Sequence, residues 1–177
     1  MMNYEDTYQY GEQASTSSNP YIRFLACQAL GYSRDARSIE PLVRMMDDQD
    51  AVIRARAISY FLRLKSSAHI TQTQHDALGA KVVPILTRRL KDEDERVRKQ
   101  AAYALCWVSI PENHEQQTYS ALAEARRDTV VAVSQQAVVA LRYMEERLTN
   151  VAAMGRSGIQ LPNRKVMPTA MPAWFRG

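Results

Sequence analysis

An all-α chain of stacked helical hairpins is the fold class this sequence predicts, on three observations. One apolar stripe recurs four times at helical spacing, an acidic or amide-bearing turn precedes it, and glycine and proline break the pattern after Thr149. The stripes are Ile22 with Ala26, Ala29 and Leu30; Ile53 with Ala57, Tyr60 and Phe61; Val97 with Ala101, Ala104 and Leu105; and Val133 with Ala137, Ala140 and Leu141. Their common offsets of 0, 4, 7 and 8 trace one face of an α-helix. Alanine at the second position of every copy is small enough to let a neighbouring helix come close, so the helices are expected to stack.

Taken in order, residues 1–18 form a polar N-terminal segment or an irregular first helix, and Asn19 to Gly31 make the first clear stripe helix. Each later stripe is preceded by another helix, marked by Leu42, Leu86 and Leu122, eleven residues ahead of the anchor Ile or Val. Pro41 and Pro84 stand just before two of these leucines and are read as first-turn prolines, whose missing N–H has no helical partner to lose. Asp48, Asp92 and Asp128 lie five residues before an anchor, and Asn19, Asp50 and Asp94 lie three before one. Short oxygen-bearing side chains at those places cap the next helix and suit its positive end. The anchor spacing is uneven because Lys65 to Ala80 and Ser109 to Thr118 are polar, and both are read as long connections.

The unit of helix, tight turn and helix resembles the HEAT repeat, in its PBS-lyase-like form. The best match is Leu90-Lys91-Asp92-Glu93-Asp94-Glu95-Arg96-Val97-Arg98-Lys99-Gln100-Ala101-Ala102-Tyr103-Ala104-Leu105, and Asp48 to Phe61 is the second. The resemblance implies a short right-handed α-solenoid, an alpha-alpha superhelix of about four hairpins over residues 19–148. It also implies that the second helices line the concave face, and that Arg23, Arg54 and Arg98 each pair with an aspartate in the turn of an adjacent unit. Residues 149–177 form an extended, basic tail containing proline and glycine.

Composition narrows the function. Hydrophobic residues make up 46% and charged residues 24% of 177, the balance of a globular protein. No apolar run is long enough to span a membrane and no leader pattern is present, so a cytoplasmic protein is expected. The net charge of +4 comes from the tail, where Arg156, Arg164, Lys165 and Arg176 have no acidic neighbour. The body is neutral, which counts against nucleic-acid binding. Arg88-Arg89 with Lys91, Arg96 and Lys99 suggests a basic patch, but Asp92, Glu93, Asp94 and Glu95 interleave with it. Cys27 and Cys106 sit singly in apolar helical patterns, as buried reduced thiols do. His69, His75 and His114 fall in the polar connections without ligand spacing, so no metal and no cofactor is expected.

No catalytic constellation emerges from the residues: there is no nucleophile motif, phosphate loop or paired carboxylate in an apolar setting. The expectation is therefore a non-catalytic scaffold, adaptor or chaperone-like module that binds a protein or peptide partner. Side chains on the stripe helices that point off the core stripe are the candidate partner-binding residues: Arg56, Arg63, Gln100, Tyr103, Trp107, Gln136 and Tyr143. Aromatic and arginine side chains are the usual anchors of interfaces. Trp174 and Phe175, at the end of the tail, are expected to dock on the repeats or on a partner. A bilin-lyase-like enzyme subunit and a nucleic-acid-binding helical repeat are the alternative readings, set by resemblance and by the basic tail.

Overall fold

The computed structural model describes residues 4–67 and 71–153. Among these are eight α-helices, one 3-10 turn and no strand. In order they are α1 (Tyr4–Ala14), α2 (Pro20–Tyr32), a 3-10 turn (Ala36–Ser38) leading into α3 (Ile39–Met45), α4 (Ala51–Ser67), α5 (Gln72–Arg89), α6 (Glu95–Leu105), α7 (Glu112–Ala125) and α8 (Val131–Ala153). The chain forms two compact units, Met1–Met144 and Glu145–Gly177. In the second, the described residues are the last turns of α8, where the Thr149 hydroxyl donates to the Glu145 carbonyl at 2.7 Å.

In the first unit the stripes become the core. Ala26, Ala57, Ala101 and Ala137 are all fully buried, as are Leu42, Leu86 and Leu122. Helix α4 packs against α2, α3 and α6, and α5 packs against α6 and α7. The even-numbered helices α2, α4 and α6 thus form one row covered by their odd-numbered partners, which is an α-solenoid. Truncating one of these buried leucines to alanine costs about 2–5 kcal/mol through lost burial and the cavity left behind. The first stripe departs from the others in one respect: Ile53, Val97 and Val133 are buried, but Ile22 is 37% exposed. Helix α1 crosses α2 further along, where Gly11 lies against Leu30 and the Ala26 carbonyl, and leaves the first turn of α2 uncovered.

The turns are built as the sequence implies. Asn19, Asp50 and Asp94 accept the N–H of Tyr21, Val52 and Arg96 at 2.9, 2.7 and 2.9 Å. Asp48, Asp92 and Asp128 accept the N–H two residues on, at 2.8, 3.1 and 2.9 Å. The same three carboxylates receive an arginine fork from the preceding unit. Arg23 Nε reaches Asp48 Oδ2 at 2.7 Å, Arg54 Nε reaches Asp92 Oδ2 at 2.9 Å, and Arg98 Nε reaches Asp128 Oδ2 at 2.6 Å. In each case Nη2 bonds the other carboxylate oxygen, and Nη1 donates to two carbonyls of the arginine's own turn. Each guanidinium therefore pins two successive turns together. Two serines stand where a further rung would begin. Ser17 takes the aspartate position and accepts the Asn19 N–H at 3.2 Å, and Ser134 takes the arginine position and donates to the Val131 carbonyl at 3.2 Å.

The polar connections are the main correction. Most of Lys65 to Ala80 is helical: α4 runs to Ser67, and α5 starts at Gln72. Thr71 Oγ1 accepts the Gln74 N–H at 3.3 Å while Gln74 Oε1 accepts the Thr71 N–H at 2.7 Å, a reciprocal cap that starts α5 a dozen residues before Pro84. Pro84 thus lies inside a helix, where it leaves the Ala80 carbonyl without its usual N–H partner. Ser109 to Thr118 is likewise taken up by α7 from Glu112. The extra residues lengthen the first helices, and they carry His75 and His114 on helices rather than on loops. His69 lies outside the described residues.

Candidate functional site

Side chains off the core stripe of α4 and α6 enclose a groove of about 540 Å³. Helix α4 supplies Ser59, Leu62, Arg63 and Lys65, and α6 with the turn after it supplies Gln100, Tyr103 and Trp107. The spacing explains the grouping, since Ser59, Leu62 and Arg63 lie three and four residues apart on one helix face, as do Gln100, Tyr103 and Trp107. Lys65 closes one end by donating its ammonium to the Trp107 carbonyl at 2.9 Å. Burial pulls the Lys65 pKa down.

Aromatic rings extend this groove to both sides. Tyr103 meets Trp107 edge-on with centroids 6.1 Å apart, and Trp107 lies 6.0 Å from Tyr143. On the other side the Arg63 guanidinium sits 4.1 Å above the Tyr32 ring, and Tyr32 meets Tyr60 edge-on at 5.5 Å. Gly31 makes room for that pair, because a Cβ there would come within 2.3 Å of Tyr60 Cγ. Trp107 is 50% exposed and Tyr103 is 42% exposed, so these rings present area to solvent that a partner would cover.

Of the residues expected from sequence, Arg63, Gln100, Tyr103 and Trp107 line one groove, and Tyr143 abuts Trp107. Arg56 is exposed on α4; burial raises the Cys27 and Tyr60 pKa values, and the nearby Arg56 charge only partly opposes that rise. Gln136 turns inward, its Nε2 donating to Cys106 Sγ at 3.8 Å. Leu62 and Lys65 were not among the expected residues, although Leu62 lies three residues after Ser59 and Lys65 three after Leu62, the spacing of neighbours on one helix face. Trp174 and Phe175 lie outside the described residues.

Other candidates resolve into structure. Arg88 bonds Asp47 at 2.7 and 2.8 Å, Arg89 bonds Asp47, Asp92 and the Met46 carbonyl, Lys91 pairs with Glu124 and Arg96 with Asp94. Four of the five cations of the apparent basic patch are thus held by carboxylates, and the fifth, Lys99, is exposed. Burial pushes the Cys27 thiol up to about 12 and the Cys106 thiol up to about 11, so neither forms a ready thiolate. No group of three or more His, Cys, Asp or Glu among the described residues is placed to hold a metal ion. No helix among them is long and apolar enough to cross a membrane.

The family models agree with the helical-repeat fold. A family model described as HEAT repeats matches residues 9–72, and a HEAT repeat model matches residues 82–106. No curated protein matches significantly. Among solved structures, the crystal structure of an engineered protein aligns with a TM-score of 0.62 at 19% identity, over 85% of this chain and 68% of that one. The X-ray structure of YibA of Escherichia coli aligns with a TM-score of 0.36 at 18% identity, over 84% of this chain and 64% of that one.

Proposed function

Because the chain belongs to the HEAT-repeat family, we propose that it acts as a non-catalytic scaffold that holds a protein or peptide on the face built from its second helices. HEAT repeats generally serve as protein-interaction scaffolds. Stacked hairpins offer a preformed surface, so little ordering is needed when a partner arrives. The single observation that carries the reading is the run of exposed rings Tyr103, Trp107 and Tyr143 beside a groove already open between α4 and α6. Large amphipathic rings that contact one another only in part gain by further burial, and interface energy concentrates on such residues. An adaptor or chaperone-like role follows if the partner is a segment of another protein, and the tail residues Trp174 and Phe175 are a further candidate contact with it.

The test is affinity purification of the full chain, followed by binding measurements on the recovered partner. Trp107→Ala with Tyr143→Ala is expected to weaken that complex by about 2–4 kcal/mol while leaving the unfolding midpoint close to that of the parent chain. Unchanged affinity would remove these rings from the account.

A further inference from the structure

The overall neutrality of the repeats conceals a segregation of charge. Not one Asp or Glu occurs in Pro20–Arg34, Ala51–Ser67, Arg96–Pro111 or Val131–Met144, which together hold the second helices of the first unit beyond their opening residues. Apart from Glu95, which opens α6, and Glu145 and Glu146 further along α8, the acidic side chains lie on the first helices and in the turns. There they neutralise the cations: Arg44 bonds Glu12 at 2.7 Å, Lys81 bonds Glu40 at 2.6 Å, Arg88 bonds Asp47 at 2.7 Å and Lys91 bonds Glu124 at 2.7 Å.

The cations at the groove are kept differently. Arg63 rests on the Tyr32 ring, and Lys65 donates to the Trp107 carbonyl. Neither has a carboxylate partner among the described residues, and Arg56 and Lys99 on the same two helices are exposed without one. Arg63 is thus exposed on a ring face and Lys65 half-buried on a carbonyl, so both keep a positive charge that a carboxylate from a partner can meet.

Resting on the binding reading above, we infer that the ligand of the α4–α6 groove is an acidic protein segment, which sets carboxylates against Arg63 and Lys65 and an apolar side chain against Tyr103 and Trp107. A peptide fits better than a nucleic acid. Phosphate backbones are tracked by long files of cations, whereas here two cations flank an aromatic-walled groove.

Fluorescence anisotropy on the full chain tests this, with three labelled peptides of equal length that share a central Trp-Pro pair. Their flanks are Glu and Asp, Gln and Asn, or Lys and Arg, and an oligothymidylate serves as competitor. The acidic peptide is expected to bind about tenfold or more tighter than the neutral one at low salt, with the gap closing as ionic strength rises. Arg63→Glu with Lys65→Glu is expected to reverse the order of the acidic and basic peptides, and Arg63→Lys with Lys65→Arg to keep it. Equal affinities, a tighter basic peptide, no binding by any of the three, or displacement by the oligonucleotide at lower concentration than by unlabelled acidic peptide would each overturn the inference. If the purified partner is lost on changing Trp107 and Tyr143 but held after reversing Arg63 and Lys65, the scaffold reading stands and the acidic ligand falls. If neither pair of substitutions matters, the face itself is not the binding site.

Discussion

Arg54 of α4 and Asp92, in the turn before α6, form a two-bond fork at 2.9 and 2.7 Å, with side chains only 6% and 1% exposed. Paired, the two charges meet each other's hydrogen-bonding needs. Alone, either one is a desolvated ion. Arg54→Ala is therefore expected to lower the unfolding free energy by about 3–5 kcal/mol. Lys81→Ala, which breaks an ion pair whose side chains are 57% and 51% exposed, is expected to cost no more than about 1 kcal/mol. Urea midpoints of the two variants, compared with the parent, decide whether the ladder holds the stack.

Acid should loosen the turns. The Arg96 side-chain bond to Asp94, helped by backbone N–H groups, holds that carboxyl at about 2 against an ordinary 3.8. Asp128 is lowered in the same direction by Arg98. Burial raises the Asp48 and Asp92 carboxyls, yet the bonds from Arg23 and Arg54 and the turn N–H groups bring both below the ordinary value. A carboxyl whose folded pKa is depressed contributes stability in full above its unfolded pKa and loses it as pH falls through the folded one. Thermal unfolding is thus expected to be flat above the ordinary carboxylate range and to fall steeply toward pH 2. Asp94→Asn retains a capping oxygen but not the charge, and is expected to make that acid limb shallower.

Replacing Gly79 by alanine sets two effects against each other. Alanine favours a helix interior by about 1 kcal/mol over glycine. A Cβ on Gly79, however, would stand 2.0 Å from the Ser109 carbonyl oxygen, and backbone cannot rotate away as a side chain can. Overpacking of this kind costs about 1–3 kcal/mol, so Gly79→Ala is expected to lower the melting temperature despite its better helix propensity. A rise in melting temperature would show that the segment at Ser109 yields easily.

Thiol chemistry offers a check on packing. With pKa values of about 12 and 11, Cys27 and Cys106 carry almost no thiolate at pH 8. Reaction with a disulfide reagent is expected to be slow in the native protein and fast for both cysteines in denaturant. Rapid native labelling at Cys27, which is fully buried, would contradict the packing of α2.

How far the residues alone reveal this molecule depends on whether a feature is periodic. The stripes, the caps and the arginine register are repeated in phase, so each copy supports the others. The starts of α5 and α7 are not repeated and their first turns are polar, which is why they read as connections. For α5 the signal was nevertheless present, because Thr71 and Gln74 have the spacing of a reciprocal cap. In the groove, Arg63, Gln100, Tyr103 and Trp107 are found by aligning the copies, whereas Leu62 and Lys65 belong to α4 alone. Gln136 shows the limit of alignment: its offset equals that of Gln100, but a half-buried thiol beside it turns the amide inward. The charge segregation escapes a sum over the body, and becomes visible only once the structure separates first helices from second.

Ser17 and Ser134 carry a consequence for building with this protein. A tandem fusion that placed the Ser134 turn of one copy before the Ser17 turn of the next would bring two short hydroxyls to the seam, where every internal junction has a guanidinium gripping a carboxylate. Such a junction would be the weakest joint of the assembled rod. Writing Ser134→Arg and Ser17→Asp into the adjoining copies would supply the missing clasp, and with it a handle for choosing whether modules lock together or stay separate.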